Sequence, residues 1–192
     1  MRRVVWGVRR VRFATPALLA IIVAAAVMVA AAQGTGTPPP APAPRLTPAF
    51  VLRAQVGAPL ELGQVAPGRR RIIAINGGTF EGSGIKGTIL PGGADWQIVR
   101  ADGFTELDTR YTLQTDKGEL VYVQNAGMRH AAPDVMKKLL AGETVDPAAV
   151  YFRTVPKFET SAPELQWLTR SVFVGTGERY PAEVVVRFYR VE

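Results

Sequence analysis

Asp108 and Arg110 stand two residues apart in the stretch ELDTRYTLQTDKGELVYVQN, which occupies positions 106–125. In an extended chain, side chains two apart project from the same face. A carboxylate beside a guanidinium in a dry cavity can clamp a substrate anion, or its carboxyl can serve as a tuned general base. Tyr122 shares a face of the following stretch with Gln124 and could donate a proton or a hydrogen bond to a developing oxyanion. Glu159 offers a second carboxylate. Arg153, Arg170, Asp95, Trp96 and Trp167 fall in neighbouring strand and turn contexts, where they could contact a ligand. The competing reading is a solvated polar face whose cross-strand ion pairs carry little energy.

Other chemistries find less support. Gly82-Ser83-Gly84-Ile85-Lys86-Gly87 matches G-x-G-x-x-G, but Thr88-Ile89-Leu90-Pro91-Gly92-Gly93 follows it. That stretch cannot open the helix whose N-terminal amides would meet a pyrophosphate, so the glycines are expected to serve turns and bulges. His130 is the one histidine and there is no cysteine, which argues against a zinc site; no D-x-D-x-D-G calcium loop occurs either. A serine nucleophile would have to rely on His130 as its base, and no G-x-S-x-G is present. Neither a cofactor nor a metal is expected.

These candidates need a frame, and short apolar runs separated by Gly and Pro supply one. Runs at 50–56, 71–80, 87–90, 96–100, 106–115, 119–130, 151–157, 171–175 and 183–191 read as strands. Asp116-Lys117-Gly118 reads as a hairpin turn with glycine at positive φ. Only 133–141, which begins at Pro133 and stops at Gly142, and 163–168 look helical. Many antiparallel strands with one or two short helices predict a sandwich or a closed barrel.

The N-terminus reads as an export signal. Arg2, Arg3, Arg9, Arg10 and Arg12 precede an uncharged run over 17–32 that closes in Ala30-Ala31-Ala32, an A-x-A cleavage pattern. Residues 1–32 are thus expected to be a signal peptide, with an N-terminal anchor formed by 17–32 as the alternative. A Pro-rich linker over 33–48 follows, and a folded domain over 49–192. The expected location is periplasmic or secreted, with membrane contact only through an uncleaved leader. The net charge of +7 is largely the leader's; without it 18 basic residues face 16 acidic ones. That balance gives no reason to expect a nucleic-acid partner. Arg69-Arg70-Arg71 is the one basic cluster left, and it reads as a solvated turn end.

Four stretches also carry a resemblance: GGTFEGSGIKGTILPGGADWQ, LDTRYTLQTDKGELVYVQNAGMR, YFRTVPKFET and WLTRSVFVGTGER. In that order they resemble the family known as domain of unknown function 3237, or uncharacterised protein family 0311. The resemblance covers about 50–192 and leaves out the leader and linker. It implies a compact β-barrel similar in architecture to the allene oxide cyclase and dirigent barrels, and it implies no established activity. Carried onto this chain, the family's polar pattern falls on Asp95, Asp108, Arg110, Tyr122, Asn125, Arg129, Arg153, Glu159, Arg170 and Glu178. Thr169 departs from it, standing where the pattern has asparagine. Gly127, Gly175 and Gly177 fit positions set by backbone geometry.

The expectation is therefore a mainly β chain forming a single antiparallel, calycin-like barrel. A small barrel is packed inside or holds one small ligand, and polar residues inside it must be paired. Asp108 with Arg110, and Glu159 with Arg153 or Arg170, are the expected pairs. The Asp108/Arg110 face is expected to line the pocket, and Leu107, Tyr111 and Leu113 to pack outside. The matching activity is proton transfer, isomerisation, cyclisation or addition on a small carbonyl or aromatic compound. Asp108 or Glu159 would act as base, Arg110 or Arg153 as anion clamp and Tyr122 as acid. A lipocalin-like carrier is one competing reading, and a module for interaction or homo-oligomerisation is another.

Overall fold

The computed structural model describes residues 40–192; the leader and most of the linker lie outside the described residues. The strands are β1 (Leu46–Val65), β2 (Gly68–Gly82), β3 (Ile85–Ile89), β4 (Gly93–Val99), β5 (Thr105–Thr115), β6 (Leu120–Ala131), β7 (Val150–Glu159), β8 (Phe173–Arg179) and β9 (Glu183–Val191). Helix α1 (Pro133–Leu140) has proline in its first turn and is followed by Gly142 at φ 84°. A 3-10 turn, Pro163–Leu165, leads into the short helix α2 (Gln166–Thr169).

All nine strands belong to one antiparallel sheet, and its pairings return on themselves. From β1 they pass through β9, β8, β7, β6 and β5, then through β3 and β4 to β2, which pairs with β1 again. β3 and β4 lie end to end, each pairing with β2 on one side and β5 on the other. Asp116-Lys117 turns the β5–β6 hairpin, closed by Gly118 N–H to Thr115 O, with Gly118 at φ 86°. Ser83 and Gly84, at φ 44° and 76°, turn β2 into β3, so the glycine-rich stretch serves a hairpin.

β1 is longer than its apolar run suggests. It continues through Gly57, Pro59 and Gly63 by register shifts that keep it paired with β2. It also starts earlier than the expected boundary: Leu46, Thr47 and Pro48 pair with Val191, Arg190 and Tyr189 of β9. Proline has no donor for the ladder, and a register shift follows directly after Pro48.

Alternation sets which side is enclosed. In β7, Val150, Phe152, Thr154, Pro156 and Phe158 are buried, and the residues between them are exposed. In β5, Leu107, Tyr111 and Leu113 are buried whereas Asp108 and Arg110 are exposed. The expected assignment of faces in β5 is thus reversed. Enclosing the apolar side gains its transfer free energy, and enclosing the ion pair would cost more desolvation than its attraction returns.

One end of the interior is filled by Phe50, Phe80, Phe158, Phe173 and Phe188 together with Leu165 and Leu168. Phe50 lies 5.0–6.0 Å, centroid to centroid, from Phe80, Phe158 and Phe188. Burying each such ring is worth roughly 1.5–3 kcal/mol. Gly175 and Gly177 make room for the inner side chains of β7. A Cβ at Gly177 would sit 2.5 Å from the Phe152 ring, and one at Gly175 would sit 2.3 Å from Thr154 Oγ1.

Candidate functional site

Beyond the aromatic end the interior opens into a cavity of about 460 Å3. Its floor is Leu52, Ala54, Ile75, Tyr111 and Val186, which also belong to the main core. Further along the same strands, towards α1, the inward positions turn polar. Arg71 comes from β2, Asp95 and Gln97 from β4, Thr109 from β5, and Asn125 and Arg129 from β6. Thr154 of β7 and Arg179 of β8 complete the polar wall. Leu139 and Leu140 of α1, with Ala141 and Gly142, lie over this end beside the bulged Val56–Pro59 segment of β1.

The polar wall contains an ordered relay. Arg71 Nε donates to Gln97 Oε1 at 2.8 Å, and Gln97 Nε2 donates to Asp95 Oδ2. The register explains it, since Arg71 pairs with Gln97 and Ile73 with Asp95 across β2 and β4. The arginine fixes the amide's orientation, and the amide then occupies one carboxyl oxygen of Asp95. Asp95 Oδ1 is left buried without a partner. So are Tyr111 Oη, Asn125 Oδ1, Thr154 Oγ1, and both Nε and Nη2 of Arg129. All six atoms belong to residues that line the cavity.

Burial moves the titrations of these groups. It raises the Asp95 carboxyl, and the Gln97 amide, the nearby Thr109 hydroxyl and the charges of Arg129 and Arg71 only partly offset it. It lowers the Arg129 guanidinium to about 10, helped by the like charge of Arg71, with Asp95 opposing. Arg129 remains a cation at neutral pH. Burial also raises the Tyr111 phenol, which stays a hydrogen-bond donor, and lowers Arg71 and Arg179. With Asp95 ionised, three arginines face one carboxylate across this wall.

Of the residues singled out from the sequence, Asp95 lines the cavity, and so do Asn125 and Arg129 from the family's polar pattern. The structure brings Asp108, Arg110, Tyr122 and Glu159 together on the outer face instead. Arg110 is 3.3 Å from Asp108, and Tyr122 is the cross-strand neighbour of Glu159. Asp108 raises the Arg110 guanidinium, as an exposed ion pair does. Arg153 also faces outward, over the Tyr151 ring, which stacks on His130. Trp96 is half-buried outside the cavity lining, and Arg170 is exposed. Trp167 packs against the core beside Phe173, with ring centroids 5.8 Å apart.

Several cavity residues escaped the pattern of charges. Arg71 was grouped with Arg69 and Arg70 as a solvated turn end, yet it is 5% exposed. Gln97, Thr109, Thr154 and Arg179 stand outside the family's polar pattern. A usable signal existed in β6. Val121, Val123, Asn125 and Arg129 share one face, and polar residues on the apolar face of a strand must be met from inside. Among the described residues, no group of three or more His, Cys, Asp or Glu could hold a metal ion.

Comparison with known proteins agrees with this architecture. Residues 44–191 match the family model described as "Protein of unknown function (DUF3237)". A UPF0311 protein of Rhodopseudomonas palustris (strain TIE-1) is 44% identical over 142 residues, which is 74% of this chain and 93% of that protein. Among solved structures, a conserved protein of unknown function from Rhodopseudomonas palustris superposes with a TM-score of 0.76 at 41% identity, covering 79% of this chain and all (100%) of that one. A beta-barrel like protein from Acinetobacter baumannii AYE superposes with a TM-score of 0.70 at 42% identity, covering 82% of this chain and 100% of that one.

Proposed function

We propose that this chain, which belongs to the DUF3237 family, is a closed antiparallel barrel that binds a small organic molecule inside and moves a proton on it through Asp95. The observation that carries this reading is that six buried, unpartnered polar atoms all belong to residues lining one cavity with an apolar floor. Small-molecule sites have this composition, mostly apolar with a few aimed polar groups. Gathering buried polar groups in one chamber costs stability, which a protein with nothing to bind there has no reason to bear.

The groups divide the work. Gln97 occupies Asp95 Oδ2 with an N–H, so Oδ1 is the oxygen left to take or give the proton. A carboxyl with a raised pKa is better matched to proton transfer near neutral pH than an ordinary one. Asp95 would take the proton from a carbon next to a carbonyl. The C–H electron pair then shifts onto the carbonyl oxygen, and the Tyr111 phenol would donate a hydrogen bond to the resulting enolate. Returning the proton elsewhere isomerises the molecule, and attack by the enolate carbon closes a ring or makes an addition. The leader and linker would deliver this barrel to the periplasm or beyond.

The test is a thermal-shift screen of small ketones, phenols and acids on the full chain, followed by NMR detection of deuterium uptake at the α-carbon of any ketone that binds. Asp95→Asn should keep binding and lose exchange. Binding without exchange in the wild type would leave a carrier. If no compound of any class binds, the cavity has no such role.

A further inference from the structure

The three cavity arginines differ in what they have left to offer. Arg71 spends its Nε on Gln97 Oε1. Arg179 turns its terminal nitrogens to the carbonyl oxygens of Glu183 and Pro181, at 3.5 and 3.1 Å. Arg129 makes no hydrogen bond through Nε or Nη2, although both atoms are buried and the residue is 1% exposed. Among the described residues no carboxylate forms an ion pair with it. The Phe152 ring lies 5.7 Å from its Cζ and helps to hold the guanidinium in place.

Nε and Nη2 are neighbours on one edge of the planar guanidinium. Their N–H bonds run parallel and match the two oxygens of a carboxylate in a side-on, bidentate pair. Resting on the reading of the cavity as a ligand site, we infer that its ligand is an organic monocarboxylate with an apolar body, held side-on by Arg129.

The rest of the chamber fits that class. The polar wall carries an excess of positive charge, with Arg71, Arg129 and Arg179 against Asp95. The floor beyond it is Leu52, Ala54, Ile75 and Val186, with no charge to meet a second anionic group. Position along the strands orients the ligand, since Arg129 lies nearer α1 than Asn125 does, and the apolar floor lies on the far side. The carboxylate therefore sits under α1 and the apolar body points to the aromatic end. A space of about 460 Å3 suits a compact aryl- or alkyl-alkanoate. A phosphate would bring more oxygens than one fork can serve and more charge than a site holding Asp95 favours.

The probe pair is 3-phenylpropanoate and 3-phenylpropanamide, similar in shape and different in charge, titrated calorimetrically into the full chain. The carboxylate should bind at least about ten-fold more tightly than the amide, the scale of a charge-assisted bidentate pair. Arg129→Lys keeps a charge but loses the planar fork, and it should erase most of that preference. A cooperative unfolding transition shows that the variant is folded, and the wild-type comparison needs no variant at all. Equal affinity for acid and amide, or an unchanged preference in Arg129→Lys, overturns the assignment. If the amide or other neutral probes bind and the acid does not, the cavity reading stands and the carboxylate assignment falls. If neither probe binds, the carboxylate assignment falls, and the cavity reading falls with it only if the ketones and phenols also fail to bind.

Discussion

Replacing Arg129 by methionine should make the protein more stable, and the structure gives the size of the gain. The guanidinium is held at about 10 against an ordinary 12.5. At roughly 1.36 kcal/mol per pKa unit, keeping this group charged in the folded state costs about 3 kcal/mol. A second route agrees in scale: two buried N–H groups lack partners, at roughly 1–3 kcal/mol each. Methionine fills most of the side chain's volume with no polar atom to satisfy. Against the gain stands the loss of the Phe152 contact, worth roughly 0.5–2 kcal/mol. The expected net effect is a stabilisation of about 1–3 kcal/mol, a rise of order 1 M in the urea midpoint at unchanged slope. The pH dependence has a fixed sign. The folded-state pKa lies below the unfolded one, so the cost is present in full below about 10 and is relieved only as pH rises towards 12.5. Arg129's own titration therefore leaves the gain unchanged below about pH 9. Urea unfolding of both proteins at several pH values measures it. A variant that is less stable than the wild type would refute the reasoning, because Arg129 would then be satisfied within the protein rather than waiting for a ligand.

Three further outcomes follow from the same geometry. Asp95 has a raised carboxyl pKa in the fold, so its contribution is favourable below the unfolded value of 3.8 and is lost as pH rises through the folded value. The stability of Asp95→Asn relative to wild type should accordingly grow as pH is raised from about 4, in melting temperatures recorded across that range. Asp108→Asn should leave the melting temperature and probe binding unchanged within error, since the Asp108–Arg110 pair lies on the open outer face. Gly177→Ala places a methyl against the Phe152 ring at 2.5 Å. It should cost about 1–3 kcal/mol in chemical unfolding and weaken probe binding by pushing the ring into the chamber.

The strands were largely legible in the sequence because each pairs short apolar alternation with turn residues, and the family resemblance pointed to a barrel. β1 was the exception. Gly57, Pro59 and Gly63 look like breakers, and only the partner strand shows that the chain absorbs them as register shifts. The site was harder to read. Asp108 and Arg110 attracted notice because both are charged and share a face, yet that same polarity keeps them in water. The apolar side of β5 was the better guide to the interior, and it carries Thr109 and Tyr111 into the cavity. Asn125 and Arg129 were within reach, being part of the pattern carried over from the family and lying on the apolar face of β6. The Arg71–Gln97–Asp95 relay was not. It depends on the register between β2 and β4, which no local pattern specifies.

The two halves of the interior make opposite contributions, and this explains why function can sit in so small a fold. The aromatic end, from Phe50 to Phe188, is dense and satisfied and carries the stability. The α1 end holds a buried carboxyl, a buried guanidinium and several orphaned acceptors, each of which works against folding. The continuous hydrogen-bonded circuit of strands lets the first support the second, because inward positions cannot turn to solvent without breaking the ladder. Arg129 cannot swing out to water as Arg110 does, since Met128 and His130 already occupy the outward positions on either side of it. Its charge must be met inside, and a ligand that meets it adds its binding free energy to the stability of the whole fold.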